Sequence, residues 1–306
     1  MQRKFFALYL AILCSVTSIA QYADIRAAIS SQKFSDEVMA QLKATTTVFF
    51  YSKQQKSEID LIKQAVTDGW KLTPLVFDDI SKFDKYASNP KYSYFIIEGF
   101  TKESKYTSNT HYYINLRLFK EVTKKGNIIS TGLCRIELYP NTETLNMGGG
   151  RSEEVVENLY TKGAFYNWSP ILLKAQLEAV SSNLEKSFKP EHYTEIKDKD
   201  LSSILSNDTL YVPKTLLMSF NALSGKEKEK PETIFDGYHY KYRLCTDEEL
   251  FDLFQISKKG RLLFEYVKSS TDKFITIYDL QQKKIIYRNY VPLSYNLKSK
   301  DIESIK

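Results

Sequence analysis

The residues best suited to chemistry in this chain are three histidines, three cysteines and several paired acids, so their spacing is the first thing to weigh. His111, His192 and His239 stand far apart, and none belongs to an H-x-x-x-H or H-E-x-x-H pair. Zinc-dependent hydrolysis therefore lacks its local ligand spacing, and no metal site or cofactor is expected. No G-x-S-x-G elbow occurs, so a serine hydrolase would have to assemble its site from distant residues. Cys134 alternates with Ile136 and Leu138 on an apolar strand face, and Cys245 closes a second strand. Both read as core thiols without a nucleophile signature; a disulfide between them stays open, because spacing alone does not fix its geometry.

Asp78 with Asp79, and Asp247 with Glu248, could form acid/base pairs. They also stand where helices begin, and acids there favour the helix dipole, so capping is the expected role. Gly148-Gly149-Gly150 precedes a helix start at Ser152, as a phosphate loop would. It lacks the Gly-Lys-Ser/Thr ending, and Glu153 and Glu154 in the first turn would repel an anion, so a plain turn is expected. Tyr238, Tyr240 and Tyr242 alternate and would share one strand face, with Tyr287, Tyr290 and Tyr295 near the end of the chain. Such a face can stack on sugars or anchor a partner, or can simply fill a half-buried sheet.

The elements that would carry these residues are clearest from Ala44 to Thr101. Thr45 to Tyr51 is β-branched and aromatic throughout, as in a strand covered on both faces. Ser57 with Asp60 makes a capping pair for a helix whose stripe is Ile59, Ile62, Ala65 and Val66, and Gly69 is expected to end it at positive φ. Trp70 to Phe77 reads as a second strand, for which Pro74 implies an edge position or a bulge. A short helix follows with Ile80, Phe83 and Ala87, broken at Asn89-Pro90, and then a third strand from Tyr94 to Ile97, with Gly99 marking a bend or close approach. Lys102 to Asn109 reads as a loop. His111 to Phe119 and Ile128 to Tyr139 alternate about a hairpin turn at Lys124-Lys125-Gly126-Asn127.

At the N-terminus, Arg3 and Lys4, the apolar run Phe5–Val16 and Ser18-Ile19-Ala20 read as a signal peptide (residues 1–20) cleaved after Ala20. Leu13 before Cys14 does not fit a lipobox. The apolar run falls short of the roughly 20 residues that a span requires, so membrane attachment would come only through an uncleaved leader. The expected location is extracytoplasmic, either periplasmic or secreted. Removing Arg3 and Lys4 changes the charge balance from 43−37 to 41−37, or +4, which is too mild to call for nucleic acid. Lys226 to Lys230 alternates sign and reads as a solvated loop inside a flexible insert, Ser224 to Pro231.

The order strand, helix, strand, helix and three strands resembles the small envelope domains typified by the TolB N-terminal domain and the CsgG family. The resemblance is carried by Thr47-Val48-Phe49-Phe50-Tyr51, Gly69-Trp70-Lys71-Leu72, Ile96-Ile97-Glu98-Gly99 and Tyr113-Ile114-Asn115-Leu116-Arg117-Leu118, within residues 44–138. It implies an envelope protein-interaction domain rather than an enzyme.

Further on, Ser169-Pro170 is a strong helix start, and Leu173, Leu177, Val180 and Leu184 form that helix's stripe. A short strand at Thr209–Pro213 opens the second half; a strand at Tyr238–Cys245, an acidic helix start at Asp247, and strands at Leu262–Val267, Lys273–Leu280 and Lys284–Val291 then repeat the order seen from Leu72 to Leu138, as an internal duplication would. The fold class is thus α/β: two tandem βαβ(α)βββ-type sandwich domains, residues 21–140 and 209–306. A helical connector (141–190) and a polar linker (191–208) join them. The expected function is a non-catalytic interaction or assembly module of the cell envelope with a protein partner. The alternatives are a glycan- or peptide-binding protein using Tyr238, Tyr240 and Tyr242, and a hydrolase whose site no local motif reveals.

Overall fold

The computed structural model describes residues 33–52, 59–103, 108–147, 158–161, 163–189, 193–221 and 224–306. The leader, Ser57, the glycine run with Ser152, and His192 lie outside these residues. The chain is a mixed α/β protein with two mixed sheets, one small hairpin and eight α-helices among the described residues.

The first half opens with α1 (Asp36–Lys43), β1 (Thr46–Tyr51), α2 (Ile59–Gly69) and β2 (Leu75–Asp79). It continues with α3 (Phe83–Ala87), β3 (Tyr92–Glu103), β4 (Ser108–Val122) and β5 (Ile128–Glu137). Its sheet runs β2-β1-β3-β4-β5, with β1 parallel to both neighbours and the rest antiparallel. β2 is an edge strand, one of the two positions Pro74 implied, but it starts after that proline. Trp70 instead turns inward, 1% exposed, and donates Nε1–H to Thr73 Oγ1 at 2.9 Å. β3 and β4 extend into the expected Lys102–Asn109 loop from both sides, as far as Glu103 and back to Ser108, so their pairing is longer than that polar composition implied.

After α4 (Thr142–Asn146) comes α5 (Pro170–Glu185), capped by Ser169 with proline in its first turn. The stretch 191–208, expected as a linker, holds β6 (Ile196–Lys197) and α6 (Leu201–Asn207). β6 pairs with a sheet edge, and Leu201 and Leu205 are buried in the second core, which is what two leucines four apart on a polar helix achieve. Next come β7 (Leu210–Pro213), β8 (Met218–Asn221) and β9 (Lys226–Glu229). The expected flexible insert is therefore half of a hairpin, turned by Gly225 at φ 65°. β10 (Tyr242–Cys245), α7 (Asp247–Phe251), β11 (Leu262–Ser269), β12 (Asp272–Asp279), β13 (Lys284–Val291) and α8 (Ser299–Glu303) complete the chain.

The second sheet runs β10-β7-β11-β12-β13-β6. β7 lies parallel to β10 and β11, and β12 and β13 follow antiparallel. Strand for strand this is the order and direction of the first sheet, with β6 added at the edge.

Two hydrophobic cores correspond to the two sheets, and α5 belongs to both. Leu173, Leu177, Val180 and Leu184, the stripe visible in the sequence, pack into the first core. Ile171, Leu172, Ala175 and Ala179 pack into the second. α5 thus carries two apolar stripes, each buried in a different core, and is a shared wall more than a connector.

Gly69 is not at positive φ. It ends α2 where that helix crosses α5, and a Cβ there would lie 2.9 Å from both Leu177 Cβ and the Lys174 carbonyl oxygen. Ser181 donates its hydroxyl to the Gly69 carbonyl at 3.0 Å across the same crossing. Glycine is thus required for close approach. Alanine for glycine within a helix ordinarily stabilises by about 0.5–1 kcal/mol. Gly69→Ala is expected to reverse that sign and cost roughly 1–3 kcal/mol through overpacking, read as a lower urea midpoint at unchanged slope.

Candidate functional site

The site is a cleft of about 510 Å³ walled by both halves. Edge strand β5 contributes Arg135, Ile136 and Glu137, and the C-terminal part of α5 contributes Gln176, Val180, Ser182 and Asn183. One face of the second sheet supplies Glu265, Val267, Phe274, Thr276, Tyr278 and Arg288. Strand alternation puts these last six on one face: Glu265 pairs with Thr276, Val267 with Phe274, and Thr276 with Arg288.

Glu265 is the deepest charge, 4% exposed. Its Oε1 accepts from Asn167 Nδ2 at 2.8 Å and Gln176 Nε2 at 2.5 Å, and its Oε2 accepts from the Tyr278 hydroxyl at 2.6 Å. Burial pushes this carboxyl above its ordinary value, and the donors from Asn167, Tyr278 and Gln176 together with the nearby Arg288 oppose that rise. Arg135 is fixed from two sides: it pairs with Glu137, and its guanidinium lies 4.1 Å from the Tyr113 ring centroid and 5.2 Å from that of Phe100.

Cations outnumber acids on the walls. Arg135, Lys186, Lys189, Lys283, Lys284 and Arg288 stand against Glu137, Glu195 and Glu265. Groups behind the wall offset part of this excess, because Lys284 pairs with Asp198 at 2.6 Å and Lys283 lies 4.0 Å from Glu178. With Asp198 and Glu178 counted, six cations face five acids, and Lys186 and Lys283 are the exposed cations among them.

Beside the cleft, the two halves meet through an imidazole, a hydroxyl and a carboxylate. Ser269 Oγ donates to Glu137 Oε2 at 2.7 Å, and His111 Nδ1 lies 3.1 Å from Ser269 Oγ. With its only proton given to the carboxylate, Ser269 accepts from His111, which places a hydrogen on Nδ1. This order, histidine to serine to glutamate, differs from a nucleophilic triad, in which serine gives its proton to histidine. Ser269 is also 1% exposed, too deep for a substrate carbonyl to reach. The trio acts as a fastening between β4, β5 and the end of β11. Asn167 makes a second fastening: it accepts from Tyr139 N–H at 2.8 Å and donates to both the Glu137 carbonyl and Glu265.

The tyrosines singled out in the sequence do come together, but not as an exposed strand face. Only Tyr242 lies in β10, whereas Tyr238 follows a 3₁₀ turn and gives its N–H to the Phe235 carbonyl. Tyr238 is 7% exposed, its ring centroid 5.7 Å from Tyr240 and 6.0 Å from Tyr242, and all three pack on the second core. Tyr240 bonds Ser202 on α6 at 2.8 Å. The cluster closes a core edge and offers a ligand little surface.

The remaining candidates have structural partners. Cys134 and Cys245 are free, buried and in separate cores, and burial pushes the Cys134 thiol up to about 12. Asp79 caps the 3₁₀ turn at Ile80 by accepting from Ser81 N–H. Burial would raise the Asp78 carboxyl, yet bonds from Lys82, Tyr86 and the Asp79 N–H bring it down to about 2. Asp247 and Glu248 lie in the first turn of α7, where the cap is Thr246 in a reciprocal box with Glu249. His239 is exposed. Among the described residues no group of three or more His, Cys, Asp or Glu could hold a metal ion. No known protein family, curated protein or solved structure matches the chain.

Sequence reasoning missed the cleft, although it left one trace: Glu265 is a single acid inside the apolar run Leu262 to Val267. If Asn167 fastens the halves, Asn167→Ala leaves the Tyr139 N–H and the Glu137 carbonyl unpaired. The expected loss is roughly 2–5 kcal/mol for several buried groups, read by chemical denaturation, with loss of cooperativity between probes placed in the two halves.

Proposed function

We propose that the protein is a non-catalytic binding module of the cell envelope that takes a small acidic or polar ligand in the cleft between its two sheets. The observation carrying this reading is that one cavity draws its walls from both halves and has six cationic against three acidic side chains among its lining residues. Its size falls within the range of about 300–1,000 Å³ common to small-molecule sites. The extracytoplasmic setting rests on the leader, and a role in envelope interaction rests on the domain order of residues 44–138. No helix among the described residues is long and apolar enough to cross a membrane.

The Ser182, Thr194 and Thr276 hydroxyls on the cleft walls have no imidazole beside them among the described lining residues. Binding without turnover is accordingly favoured over hydrolysis, and the burial of Tyr238 favours the cleft over the tyrosine cluster.

A panel of small carboxylates, phosphates, sugars and short peptides, scored by thermal shift, tests the proposal. At least one acidic compound is expected to raise the midpoint, and Ser182→Trp, which fills the half-exposed cleft wall, is expected to abolish the response while leaving the unliganded midpoint nearly unchanged. A flat response across the panel, or one that Ser182→Trp leaves intact, overturns it. A fluorophosphonate probe is expected to leave Ser269 unlabelled, and labelling there would revive a hydrolase.

A further inference from the structure

On the face of the second sheet turned away from the cleft, two lysines stand opposite each other in register, Lys268 on β11 and Lys273 on β12. Both are buried, 2% and 1% exposed. Their surroundings differ sharply. Lys273 Nζ donates to the Asn296 carbonyl at 3.0 Å and pairs with Asp301 of α8 at 2.5 Å. Lys268 Nζ has no hydrogen-bond partner and lies 3.7 Å from the ring centroid of Phe220, on the β8–β9 hairpin.

Two further buried polar atoms nearby lack partners: Glu227 Oε1 and Thr142 Oγ1. The other Glu227 oxygen accepts from Thr142 N–H and the Tyr166 hydroxyl, each at 3.0 Å, which fixes that carboxylate on the inner side of β9. Phe220 and Glu227 also form part of the wall of a second cavity of about 640 Å³, together with Ser219, Tyr295 and Asn296. The Lys268 amine, one Glu227 oxygen and the Thr142 hydroxyl are thus buried without hydrogen-bond partners, the amine lying behind the Phe220 ring that walls this cavity, where a buried polar atom ordinarily has a partner.

We propose that Lys268 is the amine of a carbonyl-binding site, at which an aldehyde or ketone entering from this cavity is held as an imine. Lys268 Nζ, as the free amine, attacks the carbonyl carbon, the C–N bond forms as the C=O π bond opens, and one nitrogen proton passes through Glu227 to the oxygen, which becomes a hydroxyl. Glu227 then takes the second nitrogen proton and hands it to that hydroxyl, which leaves as water as the C–O bond breaks and the C=N bond forms, and nothing is oxidised or reduced. Thr142 Oγ supplies a hydrogen bond to the oxygen while it is attached. Desolvation in an apolar setting is one way a lysine becomes nucleophilic. Burial lowers the Lys268 ammonium from its ordinary value to about 8, with Glu227 opposing the fall. The other charges around it are Lys273 with Asp301, and Lys230, which burial and Lys273 also lower.

The test treats the folded full chain with propanal or pyruvate and sodium cyanoborohydride, and maps reduced adducts by peptide mass spectrometry. Lys268 is expected to be modified at least tenfold faster than exposed lysines, with a rate midpoint near pH 8. Phe220→Ala is expected to speed modification, and Glu227→Gln to slow it at an unchanged thermal midpoint. Lys268→Met is expected to lose the fast adduct and remain folded. Below pH 8 both native and unfolded wild type hold this proton, and between about 8 and 10.5 only the unfolded chain does. Wild type should therefore gain stability relative to Lys268→Met as pH rises through that window. Adducts confined to exposed lysines, in both wild type and Phe220→Ala, would overturn the proposal, as would a rate midpoint near that of ordinary lysines. Neither result bears on the cleft, which lies on the opposite face of the sheet.

Discussion

A single helix buried in two cores at once constrains everything else in this molecule. α5 places Leu173, Leu177, Val180 and Leu184 in one core and Ile171, Leu172, Ala175 and Ala179 in the other. Each fully buried aliphatic side chain of this size contributes about 1.5–3 kcal/mol relative to exposure. Neither half can detach without exposing one of the two stripes. The halves are therefore not beads on a string, and relative motion of the kind expected across a small polar interface is opposed along the whole length of the helix. Gly69 adds to this constraint, because α2 can cross α5 closely only where no Cβ intervenes.

Apolar packing alone would allow the sheets to slide or turn about α5. Direction is supplied by the polar groups at the junction, where His111, Ser269 and Glu137 form one chain and Asn167, Gln176, Tyr278 and Glu265 another. Desolvating charges such as Glu137 and Glu265 is expensive, and buried ionic groups are weak sources of net stability. Their more defensible contribution here is registry: each has partners on different elements, and a shift of one strand position would leave several unpaired at once. The cleft exists because these contacts hold edge strand β5 against the face of β11–β13 at a fixed spacing.

How much of this was legible follows from what kind of signal each feature leaves. β1, the Ser169-Pro170 start of α5 and the Gly126 turn depend on local chemistry, and each appears where its residues place it. The matching order of the two sheets was visible as an order of elements. Tyr238 to Tyr242 misled because alternation is a strand signal only while backbone bonds follow it, and here the Tyr238 N–H closes a turn on Phe235 instead. α5 was read by one stripe although the second was equally present, since a stripe implies a core without saying how many. The cleft was illegible for a stricter reason. Its lining joins strands whose pairing includes an irregularity at Ile277/Tyr278, and neither that offset nor the approach of β5 leaves a mark in composition or period.

The two halves differ most where their shared plan is carried out with different parts. Between β1 and β2 the crossover is helix α2, which brings Ile62, Ala65 and Val66 to the first core. Between β7 and β10 the crossover is a pair of 3₁₀ turns around the β8–β9 hairpin. A helix covers a sheet with a continuous apolar stripe, whereas a four-residue strand of alternating lysine and glutamate must turn one set of charges inward. In this chain the inward residue is Glu227, and the sheet face beneath carries Lys268 and Lys273. A polar hairpin in place of an apolar helix thus brings a carboxylate to the side of the sheet that buries these two lysines. It also explains why Lys273, within reach of α8, finds Asp301 while Lys268, under the hairpin, meets an aromatic ring.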